Sequence, residues 1–118
     1  MAKNRDWTPE AMQLWSMLVL MATFKDKPRP YAEIGLLVGV WQRNMGLPLG
    51  MIQDYCKRNA LPPLQALVVN KETGYPTCGG YAADTNWDEV YKSIYEFGWH
   101  TVPNPFVHRL INPAALAA

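Results

Sequence analysis

The chain has 118 residues, 49% hydrophobic and 18% charged, which excludes wholesale disorder and is typical of one domain with its own core. Eleven Lys and Arg residues face ten Asp and Glu residues, and the net charge of +1 excludes a strongly basic protein that coats nucleic acid and an acidic nucleic-acid mimic. Two cysteines are too few for a disulfide scaffold, and the most apolar stretch, residues 14–24, is shorter than the ~20 residues that span a bilayer. We therefore expect a cytoplasmic protein with no membrane partner.

A first helix is predicted over residues 8–24. Thr8 suits the N-cap, and Pro9 suits the first helical position, where its missing N–H costs nothing. Apolar residues recur at helical spacing, and the stripe widens until it nearly encircles the helix. Such a helix is central and buried, or it pairs with a partner.

Two shorter helices follow, joined by a turn. Residues 31–40 are predicted to form the second helix, and Gly39 is its expected stop. The third helix is predicted to begin at Pro48 and to carry Lys57 and Arg58 in its last turn, where cations suit the helix dipole. Two short helices with a glycine-bearing turn between them predict a helix-turn-helix unit.

A β-hairpin is expected next. The β-rich run at 64–69 predicts a strand, the polar stretch at 70–74 predicts a turn, and a partner strand is expected at 77–83. Pro76 limits that second strand to an edge position.

A fourth helix is predicted to begin at Asn86, since Glu89 three residues later completes a variant capping box, and to end at Gly98. The tail contains several prolines, and a short helix over 105–111 is one interpretation of it. The order of elements predicts an α+β, mostly helical fold: a winged helix-turn-helix core with a β-hairpin and an added C-terminal helix. We expect a single domain over 1–118, with its core at 8–98 and an irregular tail at 99–118.

No catalytic constellation is evident. His100 and His108 have no neighbouring carboxylate or cysteine, so they do not predict a metal site. Cys56 falls on an apolar helix face, where a cysteine is usually a small core residue. Cys78, beside Gly79, is the better candidate for reactivity, but no nearby group would lower its pKa. We therefore predict a non-enzymatic protein with no catalytic residues, no metal and no cofactor.

Charge is uneven along the chain. Between Lys25 and Lys71, seven cationic side chains face three acidic ones, a net charge of +4. From Pro76 onward, two cationic side chains face four acidic ones, a net charge of −2. The excess falls on the predicted helix-turn-helix and hairpin, which indicates either a surface that meets a phosphate backbone or an ordinary solvated face.

Five short motifs carry a family resemblance: YAEIG (31–35), VG (38–39), RNMG (43–46), LQALVVN (64–70) and GGY (79–81). With them, the stretch from Tyr31 to Tyr81 resembles the winged-helix DNA-binding domain of alkylguanine-DNA alkyltransferases and alkyltransferase-like proteins. The resemblance implies that the second helix of the helix-turn-helix enters the minor groove. It also implies that Arg43 fills the gap in the base stack and that Tyr31 contacts the phosphate of a flipped nucleotide.

The chain departs from that family at the catalytic motif. Alignment on the family's Val-Val puts Gln65 where the alkyl-accepting cysteine stands, and Ala66 and Leu67 replace the histidine and arginine. No thiolate and no base remain there, so alkyl transfer is not expected. The interval between Gly39 and Arg43 is also shorter than the family's usual one.

Two functions follow from these patterns. The first is a small non-enzymatic protein that binds double-stranded DNA, with groove contacts from Gln42, Arg43 and Asn44 and phosphate contacts from Lys57, Arg58 and Lys71. The alternative is a protein-interaction module, such as a phage-encoded inhibitor of a host defence complex. Near-zero net charge favours the alternative, as do five Trp and six Tyr residues, which are residue types of interface anchors. A hydrolase or nuclease is the least supported class, because a carboxylate–histidine cluster is missing.

Overall fold

Helix α1 (Thr8–Thr23) lies at the centre of the fold and packs against every other helix. The structure is a computed structural model and describes residues 6–76 and 84–107. The elements that follow α1 are β1 (Arg29–Pro30), α2 (Tyr31–Val38), α3 (Gly46–Arg58), β2 (Val68–Val69) and α4 (Trp87–Glu96), with 3-10 turns at Gln42–Asn44, Leu64–Leu67 and Trp99–Thr101. An α+β, mostly helical fold is therefore confirmed. None of the helices in the described ranges is both long and apolar enough to cross a membrane.

The start of α1 differs from the prediction by one residue. Thr8 is a buried helical residue, and Trp7 occupies the cap position. The capping oxygen belongs to Asp6, whose Oδ1 accepts hydrogen bonds from the Thr8 N–H, at 2.9 Å, and from the Thr8 hydroxyl. Threonine and aspartate both suit a helix start, so sequence alone did not distinguish them.

Helices α2 and α3 both form where helices were predicted, with bounds that differ by a few residues. Helix α2 ends at Val38, and Gly39 takes the left-handed conformation (φ 76°) expected of a helix stop. Helix α3 begins at Gly46, two residues before the predicted start at Pro48. Pro48 is tolerated in the first turn because the first N–H groups of a helix have no intrahelical partner. Gly35 lets α2 approach the turn, since a Cβ there would lie 2.3 Å from the carbonyl oxygen of Val40.

The prediction of a strand over residues 64–69 is wrong for most of that run. Leu64–Leu67 forms a 3-10 turn, and only Val68–Val69 is a strand. That strand pairs in parallel with Arg29–Pro30, in a register that places Arg29 opposite Val68. All six residues of the run are buried, and a short apolar run buried on all sides has no periodicity that separates strand from turn. The partner strand predicted at 77–83 lies outside the described residues.

The polar turn at 70–74 is confirmed. The side-chain Oδ1 of Asn70 accepts hydrogen bonds from the N–H groups of Glu72, at 2.8 Å, and Thr73, at 3.3 Å. Gly74 follows with a φ of 76°.

Helix α4 begins as predicted, since the Asn86 side chain accepts a hydrogen bond from the Glu89 N–H at 3.3 Å. It ends at Glu96, two residues before the predicted Gly98. Of the short helix suggested at 105–111, only the part up to Val107 is described, so this interpretation falls mostly outside the described residues.

Aromatic rings organise the core around Trp15. Its ring meets those of Tyr55, Trp99 and Phe106 edge-on, at centroid distances of 5.6, 5.8 and 6.3 Å. The Tyr91 hydroxyl also donates to the Ala66 carbonyl at 2.8 Å, which ties α4 to the 3-10 turn beneath α1. These contacts hold α3, α4 and the 3-10 turns at Leu64–Leu67 and Trp99–Thr101 around α1.

Candidate nucleic-acid interface

The turn between α2 and α3 presents the three predicted groove residues together. Gln42 and Arg43 are exposed and Asn44 is half-buried. Buried Val40 and Met45 flank the turn on either side, and the Asn44 N–H donates to the Trp41 carbonyl at 2.8 Å. The polar segment is thus held at both ends by side chains that belong to the core.

Arg43 rests on an aromatic ring that the sequence prediction did not include. Its guanidinium carbon lies 5.1 Å from the centroid of the Trp41 ring, and Trp41 is 62% exposed. A cation over the face of an indole gains roughly 0.5–1 kcal/mol at an exposed site and restricts the guanidinium without neutralising it. The signal for this pair was present in the chain, as an aromatic residue two positions before an arginine in a turn.

Tyr31 stands at the opposite end of α2. It is half-buried and packs against the core cluster. The eight residues of α2, about 12 Å of helix, lie between it and the turn that carries Arg43. The structure therefore does not bring Tyr31 and Arg43 together.

The predicted phosphate contacts lie at a distance from the turn. Lys57 and Arg58 are exposed at the far end of α3, whose thirteen residues span about 20 Å. Arg58 forms an exposed ion pair with Asp54, with 3.0 Å between Nη2 and Oδ2. Lys71 is exposed in the turn that follows β2. Lys57 and Arg58 are thus separated from Arg43 by the length of α3.

The exposed face of α3 between Arg43 and Lys57 includes two glycines, which carry no side chain. Gly46 and Gly50 are exposed four residues apart, and a Cβ built on either would meet nothing within 4 Å. The packing of the fold therefore does not require a glycine at position 50. Glycine is nevertheless present there, at a cost of about 1 kcal/mol relative to alanine inside a helix. An outside molecule could approach the backbone of α3 closely at this point.

Part of the positive charge counted in the segment is neutralised. Arg29 lies between Asp26 and Glu33, with nitrogen–oxygen distances of 2.9 and 2.6 Å. The hydrogen bond from Arg29 is the main cause that lowers the pKa of the Asp26 carboxyl. This cluster adds no net cation to the turn or to α3.

The position that the resemblance assigns to an alkyl acceptor is closed to solvent. Gln65 is 2% exposed within its 3-10 turn. Cys56 is a free, buried thiol, as predicted for a core cysteine, and burial raises its pKa, which disfavours the nucleophilic thiolate. Within residues 6–76 and 84–107, no group of three His, Cys, Asp or Glu side chains is placed to hold a metal ion. Cys78, Gly79 and His108 lie outside those ranges.

Comparison of the chain with protein-family models, with curated proteins and with solved structures found no match. The geometry of the turn, of α3 and of their surroundings is therefore the basis for a functional assignment.

Proposed function

We propose that this protein is a small, non-enzymatic DNA-binding protein of the winged helix-turn-helix, alkyltransferase-like type. Helices α2 and α3 form the helix-turn-helix, and the turn between them meets a groove of double-stranded DNA. The observation that carries the proposal is the exposed stack of Arg43 on Trp41, held at the tip of a turn whose flanking residues are buried.

The chemistry of that stack suits a DNA groove. An arginine guanidinium is permanently charged, weakly hydrated and planar, and it enters minor grooves and stacks on bases. The guanidinium lies over the exposed Trp41 ring, and Gln42 and Asn44 flank Arg43 in the same turn. Amide side chains offer both a donor and an acceptor to base edges.

The surroundings of the turn support the same function. The glycine-bearing face of α3 allows a close approach of the sugar-phosphate backbone, and Lys57, Arg58 and Lys71 are exposed farther away. Exposed cations contact phosphates and position a duplex without reading its sequence.

Fluorescence anisotropy with a labelled duplex, measured at low and at near-physiological salt, tests the proposal. We expect salt-dependent binding, because each neutralised phosphate releases counterions. Arg43→Ala should weaken it by roughly five- to 150-fold, the range that corresponds to ~1–3 kcal/mol for a groove contact. Lys92→Ala, which removes an exposed cation from α4, is the matched control and should change affinity by less than about twofold.

The phosphate contacts have a separate signature. Lys57→Ala and Lys71→Ala should each reduce the slope of log affinity against log salt by about 0.9 and weaken all sequences alike. Absence of binding to any duplex at low salt, or equal losses for Arg43→Ala and Lys92→Ala, would overturn the proposal.

A second candidate function, a protein-interaction module, is favoured by one specific observation. Leu36 is 84% exposed, and with Trp41 it lines a groove of about 400 Å³ beside the turn. Exposed leucine and tryptophan side chains around a groove are typical of protein contacts. A pull-down that recovers nucleic acid and no stoichiometric protein would contradict this candidate.

A further inference from the structure

The exposed face of α3 carries one apolar side chain, at the end of the helix that adjoins the Arg43 turn. The exposed positions of α3 are Gly46, Leu47, Gly50, Asp54, Lys57 and Arg58. Leu47 is 49% exposed, and the positions beside it on this face, 46 and 50, have no side chain. Because residues three apart are neighbours on a helix surface, Leu47 projects beyond the backbone that surrounds it.

The backbone that carries Leu47 is anchored in the core. Met45, Pro48 and Leu49, on either side of it, are buried. The Leu49 N–H donates to the Met45 carbonyl at 3.1 Å, which closes the first turn of the helix around Leu47. A leucine on a fixed backbone loses little order when it enters another apolar environment, and its exposed surface is then removed from water.

Charge is sparse around Leu47. Residues 34–53 contain one charged side chain, that of Arg43. The nearest carboxylate along α3, that of Asp54, is paired with Arg58. A surface that lies on phosphates carries several cations, whereas the interior of a duplex presents base edges and stacked base pairs. An apolar side chain close to a single arginine therefore suits the interior of a groove better than its phosphate walls.

Given the proposed DNA binding, on which this role depends, we propose that Leu47 inserts between two base pairs and kinks the duplex. Proteins of the minor groove insert leucine and other apolar side chains between base steps, which unstacks the steps and bends DNA by about 20–90°. Pyrimidine–purine steps such as TA and CA are kinked most easily. The protein therefore favours sites that contain such a step, without a hydrogen bond to its bases.

Energy transfer between dyes at the two ends of a duplex of about 20 base pairs tests the kink, because bending brings the ends closer together. We expect the wild-type protein to raise the transfer efficiency of a duplex with a central TA step. Leu47→Ala should bind about five- to tenfold more weakly and should leave the transfer efficiency near that of free DNA. Leu47→Met, an apolar side chain of similar volume, should recover the bend.

A duplex with a central mismatch separates insertion by Leu47 from a structural role of that residue. The mismatch lowers the cost of unstacking, so the wild-type protein should bind this duplex more tightly than the fully paired one. Leu47→Ala should bind the two duplexes alike. A variant that binds both more weakly but keeps the wild-type preference for the mismatch would overturn the proposal.

Leu37→Ala is the matched control, because Leu37 is an exposed leucine of α2 that lines a different groove from the one beside Trp41. It should leave affinity and bend unchanged, and far-ultraviolet circular dichroism confirms that each variant folds. Binding without a rise in transfer efficiency, or equal bending by the wild type and Leu47→Ala, would overturn the role of Leu47 while the proposed DNA binding stands. Absence of binding to any duplex would overturn both.

Discussion

The middle of α1 and the surface formed by its C-terminal end with α2 are both apolar, but they are used differently. Trp15 in the middle of α1 is 2% exposed and meets three aromatic rings edge-on. On the surface formed by the C-terminal end of α1 and by α2, Leu20, Phe24 and Leu37 are each more than half exposed. The apolar pattern of α1 is nearly continuous, so the difference comes from what covers it. The covered part stabilises the fold, whereas the uncovered part remains in contact with solvent.

The sharpest test of this comparison uses two tryptophans. Trp15→Ala should destabilise the protein by about 3–5 kcal/mol, because it removes a large buried ring and leaves a cavity. Trp41→Ala should change the free energy of unfolding by no more than about 1 kcal/mol, because that ring is exposed and loses only its contact with Arg43. Urea denaturation measures both values. Similar losses for the two variants would show that the exposed surface supports the fold as much as the core does.

Two helical glycines give a second contrast, with smaller effects of opposite sign. Gly35→Ala should destabilise by about 1–3 kcal/mol, because its Cβ would lie 2.3 Å from the Val40 carbonyl oxygen. Gly50→Ala should stabilise by about 0.5–1 kcal/mol, because its Cβ meets nothing and alanine favours a helix.

The same Gly50→Ala variant should bind DNA more weakly if the face of α3 lies against the duplex. Thermal denaturation and fluorescence anisotropy on one preparation give both readouts. A variant that is more stable and binds DNA as well as the wild type would show that nothing approaches α3 closely at Gly50.

The smallest expected effect is a dependence of stability on pH. It comes from the ion pair between Asp26 and Arg29, at the rim of the exposed surface. The pKa of Asp26 is lowered in the folded protein, chiefly by the hydrogen bond from Arg29, so the unfolded chain binds a proton at this carboxyl more readily. The stabilisation is therefore present above the unfolded pKa, near 3.8, and is lost as the pH falls through the lower folded value.

Urea denaturation between about pH 2 and pH 6 measures that loss. Asp26→Asn should flatten the acid side of the stability profile, and Arg29→Ala should flatten it as well, because it removes the cause of the shift. An unchanged profile in both variants would show that this pair does not couple stability to pH.

Local signals in the chain predicted the helices well. The stop at Gly39 and the Asn86 cap each depend on a few neighbouring residues, and both were correct. The run at 64–69 was misread, because its conformation depends on Arg29–Pro30, almost forty residues earlier, and on burial beneath α1. The residues predicted to contact a groove, Gln42, Arg43 and Asn44, lie together in the turn between α2 and α3, whereas the contact of Arg43 with Trp41 was not predicted.

By itself, the sequence determined where the helices lie to within a few residues, that the chain has a substantial core, and that a polar turn with Arg43 separates two short helices. These properties follow from propensity, capping and periodicity, which act over a few residues. Tertiary structure alone decided that Val68–Val69 pairs with Arg29–Pro30, that Tyr31 and Lys57 lie far from Arg43, and that Phe24 projects beside an open groove. Those outcomes depend on which surfaces the other elements cover, and that is settled only when residues distant in the chain pack together.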